Sequence, residues 1–227
     1  MDFGKAFTFV FDDEEWIKKI GLAGLISLIP FIGTIIVAGW GFEVIRRVIK
    51  EDPQPLPEWS EFGEFLVQGF LVVVIGFVYA LPLILIQGCS LGFIPLLENA
   101  DQEAITAVVS VATACFSCLV FLYSILLGVI LPAAVGRYAD EGEFGAAFRF
   151  GKVFSLVRNN LGSFALVFLG NLLAGMVASL GVILCVIGVL FTSAYAAVVG
   201  GHLTGQAYKK AAAGQLSEAE AVPAEDL

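Results

Sequence analysis

The sequence predicts an all-α integral membrane protein with about six membrane-embedded helices, of which the first two form a short hairpin. Three observations lead to this prediction. Of the 227 residues, 59% are hydrophobic and 15% are charged, whereas a soluble domain has roughly 45–50% and about 25%. The mean hydropathy is +0.92. The apolar residues form long blocks, and backbone in hydrocarbon must satisfy its own hydrogen bonds, so each block is expected to be helical.

Four apolar blocks, separated by charged or polar segments, contain the predicted helices: 20–45, 65–97, 104–135 and 161–207. A helix needs about 20 apolar residues to cross the hydrocarbon core. The second and third blocks therefore cross once each, and the fourth is long enough to cross twice with a turn near Gly181. We predict a single polytopic membrane domain over residues 1–210. Residues 211–227 have little to bury and are expected to form a disordered acidic tail.

The first block fits either one tilted span or a hairpin that turns at LIPFIG, where Pro30 and Gly33 favour a turn. Cytoplasmic flanks of membrane helices collect Lys and Arg. Both flanks of this block are basic, with Lys18 and Lys19 before it and Arg46, Arg47 and Lys50 after it. This favours a hairpin, although each arm would have only about 13–15 residues, or about 20–23 Å. Arms so short would penetrate the bilayer incompletely or thin it locally.

The basic residues also set the predicted orientation. With the hairpin, all twelve Lys and Arg residues lie on the cytoplasmic side. The single-span alternative places Lys5, Lys18 and Lys19 outside. We therefore expect a multi-pass protein of the cell membrane with both its N- and C-termini in the cytoplasm.

Two cytoplasmic segments are predicted to lie on the membrane surface. The loop EDPQPLPEW contains three prolines, which prevent a continuous helix, and ends in Trp59, a residue type that anchors at the headgroup level. In the second loop, Phe150, Val153, Phe154 and Val157 share one helical face. This predicts an amphipathic helix in the interface plane, basic toward anionic lipid. Positional anchoring is the simpler role, and the candidate lipid contacts are Trp59, Arg149, Lys152 and Arg158.

The composition and motifs exclude several other classes of function. With 12 Lys+Arg against 21 Asp+Glu, the net charge is −9, which excludes a general basic surface for nucleic acid. The one histidine, His202, cannot build an H-E-x-x-H zinc site or a multi-histidine cluster. No G-x-S-x-G context supports a Ser–His pair that uses it, and the four cysteines lie in apolar stretches. We therefore expect no enzyme activity, no cofactor and no metal.

Polar groups inside the predicted spans are candidate functional residues because burying them in hydrocarbon is costly. Glu43 lies three and four residues before Arg46 and Arg47, which is the spacing of same-face ion pairs. The alternative role for Glu43 is a proton or cation site near the cytoplasmic mouth. Gln206 and His202 either line a cavity or form ordinary interhelical hydrogen bonds.

Small residues predict where helices pack closely. Ser193, Ala197, Gly201 and Gly205 recur every four residues on the last predicted helix, and such a ridge lets another helix approach. The preceding helix repeats the pattern with Gly170, Ala174 and Ala178. We expect the two ridges to form the seam of the final hairpin rather than a dimer interface.

Several segments carry a family resemblance: GWGFEVIRRVIKEDPQPLPEW, YALP, GRYADEGEFGAAFRF and GGHLTGQAYKK, in that order. Over roughly residues 3–210, the chain resembles an archaeal and bacterial membrane protein family designated domain of unknown function four thousand and thirteen. More distantly, the layout is similar to the membrane domain of bacterial glycerophosphodiester phosphodiesterases, which has six helices and a basic amphipathic loop before the fifth. Those proteins carry their catalysis in a separate soluble domain. The resemblance implies a membrane architecture and leaves the activity unassigned.

Two functions from different classes remain. The first is a non-catalytic membrane module that binds membrane lipids or partner proteins, including further copies of itself, at its cytoplasmic face. The two surface segments and the shortage of catalytic groups motivate this hypothesis. The second is a small solute or ion transporter or channel, motivated by the polar residues near the cytoplasmic ends of the spans. An intramembrane enzyme would have to use His202.

Overall fold

The structure, a computed structural model, describes residues 1–93 and 102–220, except for the side chains of 89–93, 102–108, 184–187 and 216–220. Within these residues all regular elements are helical. The α-helices are α1 (Phe3–Thr8), α2 (Trp16–Ser27), α3 (Ile32–Ile49), α4 (Phe62–Phe93), α5 (Gln102–Glu141), α6 (Phe150–Asn159), α7 (Leu161–Leu180) and α8 (Cys185–Glu220). Short 3-10 helices occur at Phe9–Asp12, Phe144–Phe148 and Gly181–Leu184.

Three described stretches are long and apolar enough to cross a membrane: Phe62–Gly88, Val109–Glu141 and Leu161–Ile183. Their mean hydropathies are 2.7, 2.5 and 2.2. The predicted all-helical class is confirmed, and these three helices indicate a membrane protein. The count of six membrane-embedded helices and their orientation stay predictions.

The chain divides into two compact units. The first contains Met1–Ile75 and Val129–Leu227, and the second contains Gly76–Gly128. The second unit therefore consists of the later part of α4 and the earlier part of α5. Within it, the Tyr123 hydroxyl donates a hydrogen bond to the carbonyl oxygen of Tyr79 at 2.8 Å. The features described below belong to the first unit, except for Cys115, Cys118 and the segment 88–92 of the second.

The apolar block at 20–45 is broken into two helices, as LIPFIG predicts. The turn between α2 and α3 includes Phe31 in the left-handed region, with φ 62°. A Cβ atom on Gly33 would overlap the carbonyl oxygen of Ile26, so only glycine permits this tight return. Lys19, near the start of α2, reaches the carbonyl oxygen of Leu56, which lies beyond the end of α3. The chain thus returns to the level at which it began, which makes α2 and α3 a hairpin.

The final block forms a second helical hairpin with its turn at Gly181, as predicted. Helix α7 ends at Leu180, and α8 follows the 3-10 turn. The Thr192 hydroxyl of α8 donates to the carbonyl oxygen of Ala178 at 2.9 Å and holds the two arms together near the turn. A Cβ atom on Gly181 would lie 2.6 Å from the carbonyl oxygen of Gly188, so the turn has no space for a larger residue.

Helix α8 is the centre of the first unit, because α1, α2, α3, α6 and α7 all pack against it. Its fully buried side chains include Ala194, Val198, Val199, Leu203, Ala207 and Ala211. The helix continues to Glu220, ten residues past our predicted boundary at 210. Residues 211–220, which we expected to be disordered, are therefore helical, because the helix-forming alanines after Lys210 extend α8 and bury Ala211. Residues 221–227 lie outside the described part of the chain.

The ridge of small residues on α8 faces α3, whereas we expected it to face α7. A Cβ atom on Gly201 would lie 2.7 Å from the carbonyl oxygen of Gly41, and one on Gly205 would lie 2.7 Å from Cβ of Val48. Ala197 is next along this contact, and its carbonyl oxygen lies near Gly41. Ser193, at the start of the ridge, is exposed. The spacing predicts a close helix contact, but it does not specify which helix supplies the other side.

Candidate functional site

Many charged side chains of the first unit lie close together. The region is formed by the ends of α3 and α5, the start of α4 and the C-terminal half of α8. Lys19 pairs with Asp13 at 2.6 Å, and Arg46 pairs with Glu64 at 3.5 Å. Lys209 of α8 contacts Glu51, just beyond α3. We call this region, formed by residues 12–19, 43–64, 137–158 and 202–210, the polar end. It is the part of the unit that offers charged groups to a ligand or a membrane surface.

Glu43 is engaged in the ion pairs that its spacing predicts. Its carboxylate lies 3.2 Å from the guanidinium of Arg46 and 3.3 Å from that of Arg47. The Arg46 side chain also reaches Glu64 of α4, so this cluster joins the end of α3 to the start of α4. The arrangement accounts for the buried charge of Glu43 without a bound ion.

His202 and Gln206 lie together on α8 and fasten the N-terminal segment to it. The His202 ring is buried and stacks on Phe9 with ring centroids 4.3 Å apart. Its Nδ1 atom lies 3.0 Å from Nε2 of Gln206. The Gln206 amide accepts a hydrogen bond from the backbone N–H of Asp2 at 2.7 Å and donates to its carbonyl oxygen at 3.1 Å. These contacts give both residues a structural role.

The Trp59 side chain packs against other residues of the polar end and does not project from it. Its ring stacks on Trp40 of α3 with centroids 4.8 Å apart, and its Nε1 donates to the carbonyl oxygen of Lys19 at 2.9 Å. Trp40 in turn donates from Nε1 to the carbonyl oxygen of Pro57 at 3.1 Å. The proline-rich loop is thereby folded back along α3. Trp59 locks this loop in place, which is a different contact from the headgroup anchoring that its residue type suggested.

Only part of the apolar face that we predicted for α6 is buried. Val153 and Val157 are buried against the protein, whereas Phe150 and Phe154 are each 55% exposed. The periodicity identifies the residues that share a face, but it does not show that burial would split that face. The exposed pair remains available to an apolar environment.

The three basic residues predicted around α6 differ in their contacts. Arg149 precedes the helix and pairs with Glu141 at 2.8 Å and with Glu143 at 3.0 Å. Lys152 and Arg158 are exposed, and neither forms an ion pair with a described residue. These two charges are therefore the ones that α6 presents outward.

A cavity of about 400 Å³ lies beside α6, and we call it the α6 cavity. Its lining residues come from the end of α5, from α6 and from α8: Arg137, Glu141, Gly151, Lys152, Ser155, Leu156, Tyr208 and Gln215. The side chain of Arg137 is only 9% exposed. One terminal nitrogen of its guanidinium pairs with Glu141, while its Nε atom has no hydrogen-bond partner among the described residues. A buried donor without a partner is uncommon in proteins.

Tyr208 forms the wall of the α6 cavity that α8 contributes. Its hydroxyl donates a hydrogen bond to the Asp140 carboxylate at 3.0 Å. Burial, together with the negative charge of Asp140, raises the pKa of Tyr208 well above its ordinary value, so the hydroxyl stays protonated. A Cβ atom on Gly136 would lie 2.8 Å from the Tyr208 ring, so glycine is required where α5 meets α8.

Sequence reasoning missed this cavity. Arg137 and Glu141 are four residues apart, which predicts an ordinary ion pair on one helix and gives no sign of a partly unpartnered guanidinium. Ser155 reaches the cavity from α6, and Tyr208 and Gln215 reach it from α8, so no local pattern joins them to Arg137.

Two further features of the sequence are its cysteines and the segment GCSLG. Cys115 and Cys118 are free and exposed on α5, while the side chains of Cys89 and Cys185 lie outside the described ones. The letters GCSLG at 88–92 match the G-x-S-x-G pattern, but they lie within the continuous helix α4. The nucleophile motif requires a strand-to-helix turn, and this segment does not provide one.

The regular elements of the described residues are all helical, and three of these helices are long and apolar enough to cross a membrane, which defines the class: a helical membrane protein. A family model described as a protein of unknown function, DUF4013, matches residues 22–187, and the chain belongs to this family. Neither the curated proteins nor the solved structures gave a match. The predicted similarity to the membrane domain of glycerophosphodiester phosphodiesterases therefore stays a prediction.

Proposed function

We propose that the protein is a non-catalytic, multi-pass protein of the cell membrane that binds anionic membrane lipid through α6 at its polar end, on the cytoplasmic side. The observation that carries this proposal is α6, which exposes Phe150 and Phe154 on the same helix as Lys152 and Arg158. Exposed aromatic rings one helical turn apart are unfavourable in water and favourable at the boundary between headgroups and acyl chains.

The charge on α6 supports an anionic rather than a neutral lipid surface. Lys152 and Arg158 are not neutralised by the ion pairs that engage Arg149. A basic residue close to an anionic leaflet contributes about 1 kcal/mol of attraction. The two rings and the two charges therefore favour the same surface.

The opposite end of the first unit supports this placement, because it is apolar. The tip of the α2–α3 hairpin exposes Leu28, Ile29, Phe31 and Ile32, and the Phe31 side chain is 85% exposed. The turn after α7 exposes Val182 and Ile183. An apolar tip is stable in hydrocarbon and costly in water. The tips therefore favour the membrane interior, which leaves the polar end at the aqueous face.

Native mass spectrometry of the protein in nanodiscs that mix phosphatidylcholine with phosphatidylglycerol tests this proposal. We expect phosphatidylglycerol to be enriched among the retained lipids. The double variant Lys152→Gln/Arg158→Gln should lose most of the enrichment. The matched control, Lys5→Gln/Lys18→Gln, removes the same charge away from α6 and should keep it.

Two outcomes would contradict the proposal. One is the absence of enrichment in the wild-type protein, and the other is an equal loss in both double variants. Solute or ion flux in proteoliposomes that changes in Glu43→Gln or Gln206→Ala would instead favour the transport hypothesis.

A further inference from the structure

We propose that the α6 cavity binds the phosphate group of one anionic membrane lipid, held by Arg137, Lys152 and Ser155. This inference rests on the proposed function and deepens it, because it assigns one headgroup to one place at the polar end. The argument uses the buried guanidinium, the start of α6, the balance of charge and the size of the cavity.

The buried guanidinium of Arg137 is the strongest indication of a ligand. Its Nε atom is enclosed and has no hydrogen-bond partner in the described part of the chain, although Arg137 lines an open cavity. Leaving a buried donor unsatisfied costs about 1–3 kcal/mol, and more for a charged group. A phosphate in the cavity would lie beside this incompletely partnered guanidinium, and arginine matches phosphate geometry well.

The start of α6 opens into the same cavity. Arg149 at the N-cap makes no side-chain capping hydrogen bond, and Gly151 of the first turn forms part of the cavity wall. An added Cβ atom on Gly151 would meet nothing within 4 Å, so the backbone there is accessible. The N-terminus of a helix carries partial positive charge and N–H donors that favour an anion.

The charges around the cavity allow an anion despite the presence of Glu141. This carboxylate pairs with the guanidiniums of Arg137 and Arg149, and Arg149 also pairs with Glu143, so these four charges balance. Lys152 adds a cation that no described carboxylate neutralises, and Ser155 adds a hydroxyl donor. The cavity therefore combines a buried cation, an exposed cation and neutral donors.

The size and surroundings of the cavity favour a lipid as the source of the phosphate. A volume of about 400 Å³ exceeds what a lone phosphate fills and is within the usual range for small-molecule pockets. Phe150 and Phe154 lie exposed on the same short helix as Gly151 and Ser155. A headgroup in the cavity would thus have apolar side chains nearby for its acyl chains, and free phosphate would leave them unused.

The test measures one-to-one binding by native mass spectrometry of the full chain in detergent. The probes are dioctanoyl phosphatidylglycerol, dioctanoylglycerol, which lacks the phosphate, and inorganic phosphate. We expect one phosphatidylglycerol per chain and no comparable binding of the other two probes. Lys152→Gln should weaken the affinity about tenfold, the usual value of one charge-assisted hydrogen bond. Lys5→Gln removes the same charge from an exposed position away from α6 and the cavity, and it should change the affinity less than about twofold.

Two further variants test the cavity without changing the net charge, and separate measurements check that they fold. Ser155→Phe fills the cavity without removing a charge and should abolish the one-to-one complex. Arg137→Lys keeps the charge but removes the planar guanidinium that lines the cavity, and it should also weaken binding. Circular dichroism and thermal unfolding establish that each variant is folded before its affinity is compared.

Several outcomes would overturn the inference. Equal effects of Lys152→Gln and Lys5→Gln would reduce the binding to surface charge, as would full affinity in Ser155→Phe. Inorganic phosphate binding as tightly as the lipid would identify a free anion as the ligand. If phosphatidylglycerol is enriched in nanodiscs but forms no one-to-one complex, the proposed function stands and this inference fails. Absence of both enrichment and the complex removes both proposals.

Discussion

Gly39 of α3 and Gly69 of α4 lie against each other so closely that neither position has space for a Cβ atom. A Cβ on Gly39 would overlap the carbonyl oxygen of Phe65, and a Cβ on Gly69 would overlap that of Ile35. The two backbones are therefore in direct contact, as small residues permit where membrane helices cross. This crossing fixes the start of α4 on α3 and closes the loop that contains Trp59.

Replacing either glycine of this crossing by alanine should destabilise the protein by about 1–3 kcal/mol, since the obstacle is backbone that cannot rotate away. Thermal or denaturant unfolding in detergent measures the effect for Gly39→Ala and Gly69→Ala. Gly63→Ala, also on α4, is the control, because a Cβ there meets nothing within 4 Å. Its stability should stay within about 0.5 kcal/mol of the wild type. Similar losses in all three variants would contradict the close crossing.

Lys19 should contribute more to stability than its neighbour Lys18. Burial lowers the pKa of Lys19, but hydrogen bonds and charges from Asp13 and Glu58 outweigh burial and raise the pKa above its usual value. Lys19→Met leaves the largely buried Asp13 without its partner and should cost about 1–3 kcal/mol. Lys18 forms one exposed pair with Glu15, so Lys18→Met should cost less than about 1 kcal/mol.

The raised pKa of Lys19 determines how the stability difference between the wild type and Lys19→Met depends on pH. A raised pKa in the folded state means that the contribution of Lys19 is complete below its unfolded pKa of about 10.4. It is then lost as the pH rises through the higher folded value. Unfolding of the wild type and Lys19→Met at neutral and strongly alkaline pH should show the gap closing at the alkaline end. A gap that widens there would refute the ion-pair explanation.

The turn of the α2–α3 hairpin stores backbone strain at Phe31. A non-glycine residue with φ 62° pays about 1–2 kcal/mol. Phe31→Gly should therefore be more stable than Phe31→Ala by about 1 kcal/mol, because only glycine relieves the strain. The same pair of substitutions at Phe11, which is exposed in a 3-10 helix, should give the opposite order. If the glycine and alanine variants rank in the same order of stability at both positions, strain at Phe31 is ruled out.

The predicted orientation can be tested by cysteine labelling with a membrane-impermeant maleimide. In a background without the four native cysteines, Lys18→Cys and Lys50→Cys flank the first hairpin, and Lys209→Cys lies on α8. We expect all three to be labelled from the cytoplasmic side only. Labelling of Lys18→Cys and Lys50→Cys from opposite sides would show that 20–45 crosses the membrane once.

The sequence predicts the helical class and both hairpin turns because those features are local. Pro30 and Gly33 mark the first turn, basic residues flank both of its arms, and Gly181 divides a block too long for one span. Polar residue types inside apolar stretches likewise identify Glu43, His202 and Gln206 before any contact is known.

Three other features depend on contacts between distant segments, which local patterns do not encode: the partner of the small-residue ridge of α8, the Gly39–Gly69 crossing and the α6 cavity. The spacing of Gly201 and Gly205 predicts a close neighbour, but the choice of α3 over α7 depends on how the whole unit packs. Neither Gly39 nor Gly69 has a small residue four positions away on its helix, so no four-residue repeat predicts their contact. The α6 cavity needs Arg137 and Tyr208 from different helices, and a four-residue spacing to Glu141 conceals the unpartnered Nε atom.

The central position of α8 has a consequence for biosynthesis. The backbone N–H of Asp2 bonds to Gln206, and the hydroxyl of Tyr195 donates to the carbonyl oxygen of Phe7 at 2.6 Å. The residues before α2 thus find these partners only after α8 has been made. Until then the α2–α3 hairpin lacks the surface that completes its packing. Assembly of this unit is therefore completed only once α8 has been synthesised, and a chain truncated before α8 would leave uncovered the faces that pack against it, those of α1, α2, α3, α6 and α7.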